Sequence, residues 1–185
     1  MKTDERVKMK KIISAIIFIS SINAFAITKT AELGIRLNHA IAEGVKSNDV
    51  LGFQAGIIVS LPSSDLVAFR TGAVLVMKDT EVEALGVKLE SKKLFLDVPI
   101  TWEFGNDAIK GYAGVNLSLK ISSSCDISVG TCTMRDEKPV LFQPTAGLDV
   151  AITNEWRAGA FYEHDTEYSA NYEQSSYGLK AGYTF

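Results

Sequence analysis

The chain has 185 residues, 46% of them hydrophobic, with 19 Lys and Arg against 22 Asp and Glu and a formal charge of −3. That length suits one domain, and the acidic balance excludes a nucleic-acid partner, which calls for a basic face. His39 and His164 both lie far in sequence from Cys125 and Cys132, which argues against a metal centre, and no cofactor motif is present.

The long apolar run is KIISAIIFISSINAFA, residues 11–26. Lys8, Lys10 and Lys11 precede it, and Ala24, Phe25 and Ala26 close it in the small-x-small form of a cleavage site. Residues 1–26 therefore read as a secretory signal peptide, and residues 27–185 as the mature domain. An anchor helix is the competing reading, but residues 12–22 contain three serines and fall short of the roughly 20 residues that span a bilayer. Asp4 and Glu5 are unusual ahead of such a run, and Met9 is an alternative start. Cleavage removes five basic side chains (Lys2, Arg6, Lys8, Lys10, Lys11) and two acidic ones (Asp4, Glu5), so the formal charge of −3 becomes −6.

After residue 26 the pattern is alternation in twos. The first strand sets Leu33, Ile35 and Leu37 against Glu32, Gly34, Arg36 and Asn38. The second sets Leu51, Phe53, Ala55, Ile57, Val59 and Leu61 against Gly52, Gln54, Gly56 and Ser60. A tight PSSD turn leads to the third, Val67, Phe69, Thr71, Ala73 and Leu75 against Arg70 and Gly72. The fourth opposes Leu94, Leu96, Val98, Ile100, Trp102 and Phe104 to Asp97, Pro99, Thr101 and Glu103. Beyond GNDA, the fifth opposes Ala113, Val115, Leu117 and Leu119 to Tyr112, Asn116, Ser118 and Lys120.

Between the fifth and sixth strands lie Cys125 and Cys132, seven apart in SSSCDISVGTCTMRDEK. In an exported chain that spacing reads as a disulfide closing a small loop. The sixth strand opposes Phe142, Ala146, Leu148, Val150 and Ile152 to Gln143, Thr145, Gly147 and Asp149. After TNE, the seventh opposes Trp156, Ala158, Ala160 and Tyr162 to Arg157, Gly159 and Glu163. The eighth, YGLKAGYTF, sets Tyr177, Leu179, Ala181, Tyr183 and Phe185 against Gly178, Lys180, Gly182 and Thr184.

Eight strands in simple order imply an antiparallel meander. The connections alternate between short turns and long polar stretches (41–49, 78–92, 121–139, 165–174), which puts all the long loops at one end. Even strand number and this asymmetry predict an all-β, eight-stranded antiparallel up-and-down transmembrane β-barrel of a bacterial outer membrane, closed so that no backbone edge is left in lipid. Glu32, Arg36, Arg70, Asp97, Glu103, Asp149, Arg157, Glu163 and Lys180 all fall on the polar face. A Lys or Arg facing acyl chains near the midplane would cost roughly 2–4 kcal/mol, so the polar face must point inward as a paired network. Trp102, Phe104, Trp156, Tyr183 and Phe185 gather towards the short turns, as an interfacial aromatic girdle would. A soluble calycin-type barrel is the competing fold, with inside and outside exchanged.

Residues 52–78, residues 93–119 and the terminal YGLKAGYTF together resemble the PorT-like or OmpA-like outer-membrane β-barrel domain family, over about residues 31–185. Its most family-like pieces are residues 96–100, the YAGVNLSL strand (112–119) and the final aromatic. The resemblance implies that Leu179, Ala181, Tyr183 and Phe185 form the signal read by the barrel-assembly machinery. It brings no catalytic set, and the extra periplasmic cell-wall-binding domain of some OmpA-like proteins has no counterpart here.

The reading that follows is a structural or interaction scaffold with no catalytic, cofactor or metal residues. Outer-membrane lipid surrounds it, and other surface proteins meet loops 78–92 and 121–139. A small pore or transport component is the alternative. A lipid-modifying enzyme built on His164, Asp165, Glu167 and Ser169 is the second alternative, although no oxyanion-hole glycines flank that serine.

Overall fold

The computed structural model describes residues 27–42, 46–84, 86–128, 138–169 and 172–185, with the backbone alone at 41, 42, 46, 84, 166–169 and 172. The signal peptide expected over residues 1–26 and Cys132 lie outside the described residues, so the expected disulfide with Cys125 is not described.

Ten strands form one antiparallel sheet: β1 (Thr28–Ala42), β2 (Lys46–Asn48), β3 (Val50–Ser64), β4 (Val67–Met77), β5 (Thr80–Ala84), β6 (Val87–Gly105), β7 (Ile109–Ile127), β8 (Val140–Ala151), β9 (Trp156–Ser169) and β10 (Tyr172–Thr184). Eight of them close the expected up-and-down barrel, β1-β3-β4-β6-β7-β8-β9-β10, with β10 returning to β1. The remaining two, β2 and β5, add to the outer half of β6.

The alternation in the sequence becomes the two faces of the wall. Leu33 is 67% exposed, Phe142 64% and Leu179 61%, whereas Arg36, Asp97 and Gln143 on the other parity are buried. A continuous belt of exposed aliphatic and aromatic side chains around buried charges is a wall solvated by lipid, and it is the reverse of the calycin arrangement. Near the short turns the belt ends in aromatics: Phe69 meets Trp102 with centroids 5.6 Å apart, and Trp156 meets Tyr183 at 5.1 Å.

The short turns are held by side chains that mimic backbone. Asn106 Oδ1 accepts from the Ala108 and Ile109 amides at 2.9 Å, and Thr153 Oγ1 accepts from the Glu155 and Trp156 amides at 3.2 and 3.0 Å. Gly105, at φ 132°, supplies the backbone conformation that starts the first of these turns.

At the other end the strands run further than the alternation indicates. β6 and β7 are each 19 residues long and stay paired out to Leu89 and Ile127, so much of the ground expected as loops 78–92 and 121–139 is sheet. In the same way β9 continues to Ser169 and β10 begins at Tyr172, inside the stretch 165–174 expected as loop.

Candidate functional site: the charged interior and the outer sheet

Inward positions from all eight barrel strands meet in two tiers. In the tier nearer the short turns, Glu32 of β1 receives Arg70 of β4 at 2.5 Å and Lys180 of β10 at 3.0 Å. Lys180 also pairs with Asp149 of β8 at 3.0 Å, and Arg70 lies 3.9 Å from the same carboxylate. The Tyr112 ring sits against both cations, 4.0 Å from the Arg70 guanidinium carbon and 4.5 Å from Lys180 Nζ. Each cation thus has a π face as well as a carboxylate against it, and both attract positive charge.

In the second tier Arg36 of β1 donates to Glu163 of β9 at 2.6 Å, to Asn38 at 3.0 Å and to Gln54 at 3.3 Å. Asn116 donates to the other Glu163 oxygen at 2.8 Å. Lys78, just past the end of β4, pairs with Asp97 at 3.2 Å and lies 3.7 Å from Glu163. It donates also to Gln143 and, at 3.2 Å, to Ser118. Ser118 Oγ lies 2.5 Å from Asp97 Oδ1 and 2.6 Å from Gln143 Oε1, with one proton for the two.

The ion pairs of the two tiers join four cations (Arg36, Arg70, Lys78, Lys180) to four carboxylates (Glu32, Asp97, Asp149, Glu163), and Lys93 and Asp165 are buried in the barrel as well. Seven of the nine charged residues read from the sequence lie in this network. The other two lie at the short-turn mouth, where Glu103 pairs with Lys110 at 2.8 Å and Arg157 donates to the Asp107 carbonyl at 2.6 Å, tying a turn to the wall.

Lys78 is the member the sequence reading leaves in a loop. Counting in twos from Arg70 through Gly72, Val74 and Val76 puts it on the inward face, but the polar residues that follow hide that parity. Apolar groups pack beside the charges, Ile58 with Val74 and Val76, and Phe95 with Leu141, together with buried polar side chains such as Thr101, Thr145 and Gln174. The cavities beside the charges are about 30 Å³ and 20 Å³, room for a single water each. Gly147 and Gly159 leave no room beside these charges either. A Cβ on Gly147 would strike the Tyr112 ring, and one on Gly159 would strike the Asp149 carboxylate.

Outside the belt, β2, β5, β6 and β7 form a four-stranded sheet at the long-loop end. Its corner is fixed by Glu81, which accepts from Asn48 at 2.8 Å and pairs with Lys88 at 2.8 Å; Lys88 reaches Glu90 at 2.8 Å as well. The Lys88 ammonium, then the Asn48 amide, hold the Glu81 carboxyl below its ordinary range. On β7, Ile121, Ser122, Ser123, Ser124 and Asp126 are exposed, with Cys125 half-buried opposite Ser91.

The residues weighed for a hydrolase part company. Asp165 is buried inside the barrel, while His164 faces outward, 3.8 Å from Glu173; the side chains of Glu167 and Ser169 lie outside the described set.

No family model matches the sequence, and no curated protein matches it. Among solved structures, Ail, the attachment invasion locus protein of Yersinia pestis, is similar over 85% of this chain and 98% of its own, at 15% identity and TM-score 0.54. Neisserial surface protein A is similar over 85% of this chain and 97% of its own, at 13% identity and TM-score 0.53. At these identities the likeness is one of fold. It places the chain beside small eight-stranded barrels of the outer-membrane class, whereas the narrower PorT-like or OmpA-like resemblance has no matching family model.

Proposed function

We propose that this protein is a bacterial outer-membrane barrel, exported through the periplasm, that serves as a structural and interaction scaffold and presents its outer sheet to other surfaces. The carrying observation is the pair β6 and β7, 19 residues each, where about 9–11 residues suffice for a tilted strand to cross a bilayer. The excess carries β2 and β5 and exposes both faces of residues 121–124. A rigid wall beneath a projecting sheet suits recognition, because backbone groups and side chains are held ready for a partner. Contacts with other surface proteins run through residues 78–92 and 121–139. The name of Ail refers to attachment and invasion and that of the neisserial protein to the cell surface, which agrees with such a role.

Insertion by the barrel-assembly machinery would use the outward residues Leu179, Ala181, Tyr183 and Phe185 at the end of β10, all exposed to the membrane side. The filled interior, its charges tied in ion pairs, argues against the pore reading, and the separation of His164 from Asp165 across the wall argues against the hydrolase reading.

The test uses the full chain in lipid nanodiscs, fluorescently labelled and incubated with intact bacterial and animal cells. Wild-type discs are expected to decorate one of these surfaces. Discs in which residues 80–91 and 121–127 have been shortened, with the barrel still folded, should not. Equal binding by both, or none by either, contradicts the scaffold reading.

A further inference from the structure

On the outer wall the apolar series stops at one height on three neighbouring strands. Along β1, Leu33, Ile35 and Leu37 give way to His39; along β10, Leu179 and Tyr177 give way to Ser175 and Glu173; along β9, Tyr162 gives way to His164. The register aligns these changes, since His39 pairs with Ser175 and Ser175 with His164. His39 Nδ1 donates to Asp49 Oδ1 at 2.9 Å, and Tyr177 reaches over to donate to Asp49 Oδ2 at 3.1 Å. A polar row on the outside of a lipid-facing wall marks the level of lipid headgroups.

Below that row, past Leu37 and Leu51, the wall is hollowed. A concavity of about 620 Å³ lies among Leu33, Ile35, Phe53 and Leu179, because Ala55 and Ala181 leave space that larger side chains would fill. The concavity crosses the wall from Leu179 and Ala181 on β10, over β1, β3 and β4, to Leu94 on β6, about 19 Å at roughly 4.8 Å per strand spacing, enough to seat part of an acyl chain.

We propose that this groove and row form one lipid-binding site. The groove takes an acyl chain of an outer-leaflet lipid, and Asp49, His39 and Tyr177 receive a headgroup that carries ammonium or hydroxyl donors. The groove is continuous with the membrane-facing belt, so lipid is the occupant already at hand. The headgroup preference follows from the row itself: Asp49 and Glu173 bring two carboxylates to it, and each Asp49 oxygen keeps a lone pair after accepting from His39 or Tyr177.

The experiment is native mass spectrometry of the full-length barrel released from vesicles of equal phosphatidylethanolamine and phosphatidylcholine. The ethanolamine headgroup offers N–H donors and the choline headgroup offers none. The wild type is expected to retain one lipid, enriched in ethanolamine by roughly fivefold, the size of one net hydrogen bond. Ala55→Trp with Ala181→Trp should abolish retention. Asp49→Ala with Tyr177→Phe should erase the preference, and Ala146→Trp, outward on β8 and two strands away from β10, should change nothing.

Heat-shifted gel mobility certifies that each variant has folded. Absence of a retained lipid, retention unchanged in the filled groove, a wild type with no headgroup preference, or a second copy of the chain in place of lipid would each overturn the proposal.

Discussion

Arg36 and Glu163 meet at 2.6 Å across the interior, although β1 and β9 are not neighbours and β10 runs between them. The bond braces the wall from inside. Its partners leave neither group in water: the Arg36 guanidinium also binds Asn38 and Gln54 and lies 5.5 Å from the Phe161 ring, and Glu163 accepts from Asn116.

Breaking one side of this pair should cost far more than replacing both. Arg36→Met is expected to lower unfolding stability by about 3 kcal/mol, because buried Glu163 loses its close partner and keeps only Lys78, 3.7 Å away and shared with Asp97. Arg36→Met with Glu163→Gln should recover most of that loss. Urea unfolding in phospholipid bilayers measures both, and equal losses would show that the pair is not coupled.

The interior is packed to contact, so added volume should be punished at particular glycines. Gly147→Leu drives a side chain into the Tyr112 ring that lies between Arg70 and Lys180, and is expected to destabilise by about 1–3 kcal/mol or more. Gly111→Ala, whose Cβ would meet nothing closer than a carbonyl at 3.9 Å, should stay within about 0.5 kcal/mol of wild type. Thermal unfolding of the two variants side by side checks the contrast.

A filled lumen whose charges are tied in ion pairs should not pass ions. Planar bilayers holding the wild-type barrel are expected to stay silent across applied voltages. Well-resolved conductance steps that change with Arg70→Ala or Glu103→Gln would return the pore reading to first place.

The outer corner carries a pH dependence of its own. Lys88 and Asn48 lower the Glu81 carboxyl from its usual 4.5, so its contribution is present above that value and is lost as pH falls through the lower folded one. Amide exchange in β2 and β5 should therefore accelerate below about pH 4.5 in wild type, while exchange in β1 and β10 is unchanged. In Glu81→Gln the acceleration should be absent.

The barrel itself was legible because lipid permits no ambiguity. Leu94, Leu96, Val98, Ile100, Trp102 and Phe104 share one face with no charge among them, and Asp97 and Glu103 can then face only inward. The projecting sheet was not legible. Once β7 leaves the membrane both its faces meet water, so ISSSCDI has no reason to alternate and reads as loop. Lys78 was lost for a related reason, since it sits where β4 ends and Asp79 and Thr80 follow. The specific partners of each charge were also out of reach. They depend on which strands face each other across the lumen, and closure of the ring decides that.

The central claim, a closed barrel with charge inside and an apolar belt against lipid, is tested most directly by gel mobility of the membrane-extracted protein before and after boiling. The account predicts a compact, faster band that is replaced by a slower one on heating. A protein recovered in the soluble fraction, with one band unaffected by heat, would contradict it.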